Sequence, residues 1–436
     1  MSSLSPPHTL PQAQRPLAAT NARGSIFIVA LLIVAATLSA LRKDVTQGFD
    51  EVAHASYVAH IQHTGALWPT LTDMRMLDPA DFTFTTAPNY LNHPSPYYAL
   101  LALLGPTLEG HPHAIVVHRL INIAFAALGL AALLMIGIYA RLSPPIFYAY
   151  AVPLACIPVL MPLAGAVNND NAAFAGGALA MLGAWQLIAT GRTRWLVLAL
   201  AGVLVASWAK LTGLMLAGGL FAGVLLWLAW RGRFRAQWIA PLALVAVLAA
   251  APYVALVVQY GSPTPNTPGQ LALLRDGAQL AGWDGAARMT PLGYAAYFIG
   301  CFVLEWMPVL ATRNALNYGM LAVPIIAALC AIAGIALSIR RIARHSEAAL
   351  DVIVVAGALA FAATFIIHIA FSYQRHLSFG WMMDAYPRYY LPVIAVVPLA
   401  GLSLLDAVVH PRTRHVLIAF YIVGPIAFRL LAGPLQ

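Results

Sequence analysis

Charge is what this sequence has least of. Asp, Glu, Lys and Arg make up 9% of its 436 residues, whereas 61% are hydrophobic. A water-soluble domain carries about 25% charged residues, so too few polar side chains exist to cover a soluble surface. Lysine occurs only at Lys43 and Lys210. Cysteine occurs only at Cys156, Cys301 and Cys330, spaced too far apart for a CxxC pair or a disulfide framework. The apolar runs are long and continuous and do not alternate in segments of ~10 residues, which excludes a closed barrel. The expectation is an all-α, polytopic integral membrane protein with lipid as its main solvent.

The net charge of +9 does not point to nucleic acid. The basic residues sit in short clusters between apolar runs, where orientation signals belong. Residues 1–23, rich in Pro and Ser, read as a disordered tail, and 24–436 as one transmembrane domain. The run from Gly24 to Leu41 lacks a small-residue cleavage site and reads as a retained first span.

Candidate spans are roughly 24–41, 114–140, 144–166, 172–190, 195–210, 212–230, 237–258, 318–338, 350–371, 391–409 and 416–432, about eleven in all. With the N-terminus in the cytoplasm, five cytoplasmic connections carry Arg141, Arg192/Arg194, Arg231/Arg233/Arg235, Arg340/Arg341/Arg344 and Arg412/Arg414. That is the positive-inside pattern. The other side holds long loops at about 42–113, 259–317 and 372–390, and every acidic residue except Glu347, Asp351 and Asp406 falls on it. Long loops of this kind are functional or disordered. Their aromatic and apolar content predicts that they fold over the membrane face.

Several polar groups on that face invite chemistry. Asp50-Glu51 is followed by His54 and Tyr57. On a helix, His54 lies one turn from both carboxylates. The pair could take a proton from a hydroxyl, hold a divalent cation, or simply cap the helix. Next comes His93-Pro94-Ser95-Pro96-Tyr97-Tyr98, where prolines end an extended stretch and open a short apolar helix. Asn168-Asn169-Asp170-Asn171 reads as a capping turn or as an anion or metal site. Lys210, inside an apolar run, is a costly charge that either binds an anion or snorkels to the interface. Arg388, beside Tyr389 and Tyr390, either grips a phosphate or anchors a span at the headgroups.

These motifs, in this order, resemble the GT-C superfamily of membrane glycosyltransferases, which take sugars from polyprenyl-phosphate carriers. Protein O-mannosyltransferases and lipid A aminoarabinose transferases are among its members. The resemblance extends over about residues 24–409 and rests on Asp50-Glu51, the His93–Tyr98 segment, Asn169-Asp170-Asn171, Lys210-Leu211-Thr212-Gly213 and Arg388-Tyr389-Tyr390-Leu391-Pro392. One departure is Ser95, where the family pattern has an apolar residue between the prolines. The resemblance implies a GT-C-like bundle with interfacial helices in the first outer loop. It makes Asp50 the base or a metal-positioning group, with Glu51 assisting. His54, Tyr57, His93, Tyr97, Asn169, Asp170, Lys210, Arg388 and Tyr389 would bind substrate or carrier. Asp50 and Asp170 would share a divalent cation (Mg or Mn) if one is needed.

The implied partners are a polyprenyl-phosphate-linked sugar, membrane lipids and a lipid or glycan acceptor. With few residues after the last span, a small or lipid-linked extracytoplasmic acceptor is expected, as is inversion at the anomeric carbon. The implied location is the cytoplasmic (inner) membrane, with the site on the extracytoplasmic face. A transporter or flippase of an anionic or lipid-linked substrate is the competing reading. It predicts charges near mid-membrane and repeated halves; the sequence shows no repeat and places its charges near span ends.

Overall fold

The computed structural model of the protein describes residues 15–306, 322–382 and 386–431. Residues 1–14 of the expected tail, the first residues of the span expected at 318–338, and Asp384-Ala385 beside the Arg388 motif lie outside them. Residues 15–23, expected in the tail, are instead helical, because helix α1 runs Arg15–Arg42. Pro16 suits a first helical turn. Asn21 then ties the early turns down by donating from Nδ2 to the Leu142 carbonyl at 2.8 Å.

Helices dominate the described residues, and eight of them are long and apolar enough to cross a membrane. A ninth arises if the 3-10 turn Pro387–Val393 and helix α16 (Val396–Ala407), bent by 58°, form one broken span. Among the described residues the expected count of about eleven is not reached, for physical reasons visible in the chain. The stretch expected to span at 144–166 splits into α5 (Pro144–Ala155) and α6 (Leu160–Ala164), with Pro153, Pro158 and Pro162 interrupting the backbone ladder. Helix α8 (Thr193–Ala209) has 17 residues, about 26 Å against a hydrocarbon core of about 30 Å.

Where they are described, the stretches expected as long loops are more ordered than long loops need be. The first contains α2 (Glu51–Thr64), a two-stranded antiparallel hairpin of β1 (Arg75–Leu77) and β2 (Phe84–Pro88), and α3 (Pro96–Leu104). Gly65, at φ 70°, ends α2 by donating its N–H to the Ile61 carbonyl. The stretch expected as a loop at 259–317 contains α12 (Pro268–Leu280) and α13 (Pro291–Trp306). The loop expected from 372 starts later, because α15 (Ala349–Phe379) continues to Phe379.

At the centre stands α7 (Asp170–Thr190), packed against α8, α4 (Ile115–Tyr139) and the Pro387–Val393 turn. Its span is 89% buried, so protein rather than lipid surrounds it. Small residues allow this closeness. A Cβ on Gly176 or Gly183 would strike the α8 backbone at Ala206 or Ala199, and one on Gly202 would strike Ala180. After α8, Lys210 is extended, and the chain resumes as α9 (Leu211–Gly213), a π-helical turn Leu214–Gly218 and α10 (Gly219–Trp230).

Replacing Gly176 by Val should force α7 and α8 apart and cost about 1–3 kcal/mol. The thermal unfolding midpoint of the purified variant in detergent should fall; an unchanged midpoint would contradict the packing described.

Candidate active site

The site is built on a buried ion pair. Glu51 and Arg119 are 1% and 2% exposed, and they meet in a two-pronged contact. Arg119 Nε donates to Glu51 Oε1 and Nη2 to Oε2, both at 2.8 Å. The remaining Arg119 nitrogen donates to the Ala40 and Lys43 carbonyls at the end of α1. Glu51 Oε1 also accepts the Val167 N–H at 2.8 Å. One ion pair thus joins the first span, α2, α4 and the segment leading into α7.

That anchorage holds a strained turn. Gly48, Phe49 and Asp50 have φ of 124°, 60° and 59°, and the left-handed region disfavours a bulky residue such as Phe. Asn168 supports the turn by donating from Nδ2 to the Phe49 carbonyl at 2.7 Å. Asp50 precedes α2 but makes no side-chain capping bond, so the capping reading of this residue does not hold. Its carboxylate projects instead into a cavity of about 560 Å³. There Tyr90 Oη donates to Oδ1 at 3.1 Å and Arg388 Nη2 to Oδ2 at 2.9 Å.

Asp170 comes from the first turn of α7 and Lys210 from the break between α8 and α9. Lys210 Nζ lies 2.5 Å from Asp170 Oδ1 and 3.7 Å from the centre of the Tyr389 ring. Arg388 Nε lies 3.4 Å from Asp170 Oδ2. One guanidinium therefore faces both carboxylates. Phe49, Tyr386 and Tyr389 flank it at 4.9–5.5 Å. The two acids differ in access: the Asp50 side chain is 44% exposed and that of Asp170 2%, so only Asp50 can meet a substrate directly.

His54 is buried and doubly engaged. Asn168 Nδ2 donates to its Nε2 at 3.1 Å, so Nδ1 carries the proton and donates to Tyr98 Oη at 2.9 Å. Burial, then the charges of Arg388 and Lys210, push the His54 pKa well below its ordinary value. His93 stacks on His54 with ring centroids 6.2 Å apart. It is pushed down likewise, by burial first and then by Lys210 and His54. Both rings are neutral near pH 7.

Of the residues singled out from sequence, Asp50, His54, His93, Asn169, Asp170, Lys210, Arg388 and Tyr389 line this one cavity. Three others do not. Glu51 turns away from it toward Arg119, because burying a carboxylate without a cation is too costly. Tyr57 is buried against Tyr98 with ring centroids 3.9 Å apart, and Tyr97 donates to Asn122 Oδ1 at 2.7 Å. Both serve packing and hydrogen bonding. Asn169 lines the wall while its Nδ2 donates to the Ala209 carbonyl at 3.0 Å.

Asp50 and Asp170 do come together, but around Arg388. With Lys210 added, the two carboxylates already face two cations, and no group of three or more His, Cys, Asp or Glu side chains suited to a metal ion occurs among the described residues. The donor set fits a guanidinium and an ammonium group; it does not fit a shared divalent ion.

Sequence reasoning passed over Arg119 and Tyr90 as site residues, and took Asn168 only as part of the Asn168–Asn171 motif. Arg119 had a signal: a charge within the apolar run 114–140 is as costly there as Lys210 is in its own. A second cavity, of about 730 Å³, adjoins the first. Arg42, Lys43 and Phe49 line one part of it and apolar residues such as Pro153, Pro425 and Phe428 another, and Tyr386 and Arg388 face both cavities.

Arg119→Met should strand the Glu51 carboxylate in the interior and destabilise the fold by about 3–5 kcal/mol. Adding Glu51→Gln to that variant should recover part of the loss in detergent unfolding experiments; a single variant as stable as wild type would contradict the clamp. In histidine-labelled protein, His54 should remain neutral with its proton on Nδ1 at about pH 6. A doubly protonated ring in nitrogen NMR spectra at that pH would contradict its placement.

No protein-family profile matches the chain, and no curated protein matches it in sequence. Among solved structures the chain is similar to crystal structures of ArnT from Cupriavidus metallidurans. The form bound to undecaprenyl phosphate is 16% identical and the apo form 17%; each has a TM-score of 0.44 and covers 90% of this chain. The match takes in 61% of the ArnT chain, so this protein spans about three fifths of that neighbour's length.

Proposed function

We propose that the protein is a GT-C-type membrane glycosyltransferase that moves a sugar from a polyprenyl-phosphate carrier to a lipid-linked or small acceptor. One observation carries this reading: an accessible carboxylate, Asp50, stands in a cavity beside the cations Arg388 and Lys210. Sugar transfer from a phosphate ester needs both kinds of group. A base must take the acceptor's proton, and positive charge must meet the developing phosphate.

In this reading the acceptor hydroxyl gives its proton to Asp50 as its oxygen attacks the anomeric carbon. The bond from that carbon to the phosphate oxygen breaks, and its electron pair leaves with the phosphate. A single displacement inverts the anomeric centre. Arg388 holds Asp50 and Asp170 in register, and Lys210 neutralises Asp170. Tyr90 orients the base, while neutral His54 and His93 line the same cavity. Glu51 acts through position alone, by fixing the turn that carries Asp50. The second cavity meets this one at Tyr386 and Arg388 but does not include Asp50. No step requires a metal ion.

The arginine clusters support a reading with the N-terminus in the cytoplasm and the site on the extracytoplasmic face of the inner membrane. Candidate groups at helix ends and in the loop helices favour an interfacial enzyme over a transporter, whose charges lie near mid-membrane.

The reading is tested by transfer assays in nanodiscs with a panel of polyprenyl-phosphate sugars. Asp50→Asn should lower turnover by about 10²–10⁴-fold, whereas a chelator should leave the wild type unchanged. Unaltered turnover in the variant would remove Asp50 as the base, and a retained anomeric configuration in the product would rule out single displacement.

A further inference from the structure

The charges in the site cavity do not cancel. Lys210 and Arg388 are matched by Asp170 and Asp50, and the rings of buried His54 and half-buried His93 are neutral. Arg375 is left over. It lies near the C-terminal end of α15, is 7% exposed, and lines the same cavity.

Its partners are weak for a buried cation. Nη2 donates to Asn266 Oδ1 at 3.4 Å, the guanidinium lies 4.5 Å from the Phe371 ring centre, and Nε has no hydrogen-bond partner. Among the described residues no carboxylate pairs with it. Removing one partner of a buried ion pair costs about 3–5 kcal/mol, so a guanidinium kept in this state indicates an anionic partner that the described residues do not supply.

The surroundings suit a phosphate. Thr364, His368, Phe371 and Arg375 recur at helical spacing and place one face of α15 along the cavity. Gln270 of α12 and the hydroxyl residues Ser262 and Thr264 also line it. The segment carrying those hydroxyls is pinned in place, since Asn92 Nδ2 donates to the Pro265 carbonyl at 3.0 Å. A guanidinium presents its donors as a planar fork that matches phosphate oxygens in pairs.

We propose that Arg375 is the anchor for the phosphate of a lipid phosphate ester, while Lys210 and Arg388 serve chiefly to hold the two carboxylates. The proposal rests on the transferase reading above and changes which cation meets the leaving group. When the sugar–oxygen bond breaks, the phosphate passes from one negative charge toward two. A cation with no carboxylate of its own is the group placed to absorb that charge.

The test is equilibrium binding to the full chain in detergent, with three probes: a long-chain polyprenyl phosphate, the matching uncharged polyprenol, and inorganic phosphate. Wild type should prefer the phosphate lipid to the alcohol by about ten- to a hundred-fold. R375Q should erase that preference while binding the alcohol normally, and R375K should restore part of it. The conservative variant decides the matter if the Gln variant does not fold.

A folded R375Q that keeps the full preference overturns the proposal, the more so if Lys210→Met loses it; the transferase reading then survives. Inorganic phosphate binding as tightly as the lipid overturns the lipid assignment. A wild type without any preference for the charged lipid overturns the anchor outright. A wild type that shows the Arg375-dependent preference but transfers no sugar from any donor keeps the anchor and removes the transferase reading.

Discussion

The Glu51–Arg119 ion pair is the contact on which the site depends. It is buried within a helix bundle whose polar groups are scarce, so each unmet charge there is costly. By engaging the Ala40 and Lys43 carbonyls and the Val167 N–H as well, the pair joins the end of the first span to α2, α4 and the entry of α7. Adjacent residues on the chain then point in opposite ways. Glu51 is drawn inward to Arg119, and Asp50, on the left-handed turn beside it, is turned out into the cavity. Positive φ at Phe49 and Asp50 costs of order 1–3 kcal/mol each, which the surrounding contacts offset.

The other half of the site reaches Asp50 from far along the sequence. Arg388 and Asp50 are separated by 338 positions, and Asp170 and Lys210 enter from two further helix ends. Their convergence follows from how the central helices meet. Gly176, Gly183 and Gly202 let α7 and α8 approach closely, which brings the start of one and the end of the other to the same level. Lys210, extended between helices, is thereby delivered to Asp170. The π-helical turn just after it, Leu214–Gly218, belongs to a kind of distortion often found at functional sites.

Much of this was legible in the sequence, because the bilayer constrains composition and loop charge so strongly. The helical membrane class followed from scarce charge. The gathering of Asp50, His93, Asp170, Lys210 and Arg388 in one cavity followed from reading loop and span-end groups as sharing one membrane side. The fate of Glu51 was not legible, since neighbouring carboxylates look alike until a partner is known, and Arg119 lay inside a run read only for its hydrophobicity. Arg375 was hidden by a boundary. Ending the span at 371 put it in a loop, whereas the continuing helix sets it one turn beyond Phe371 on the cavity face. Among the described residues the span count falls short where prolines break the stretch at 144–166, which stays apolar while its backbone ladder does not persist, and where α8 is short.

The central claim is that the cavity holding Asp50 and Arg388 is where sugar, acceptor and phosphate meet. The most direct measurement is an experimental structure in nanodiscs with a non-transferable polyprenyl-phosphate sugar analogue. The account predicts the anomeric carbon beside Asp50, leaving room for an acceptor oxygen about 3–3.5 Å from it, with the phosphate on the Arg375 side of the cavity. Sugar density in the neighbouring cavity, beyond Arg388 and out of reach of Asp50, would contradict it.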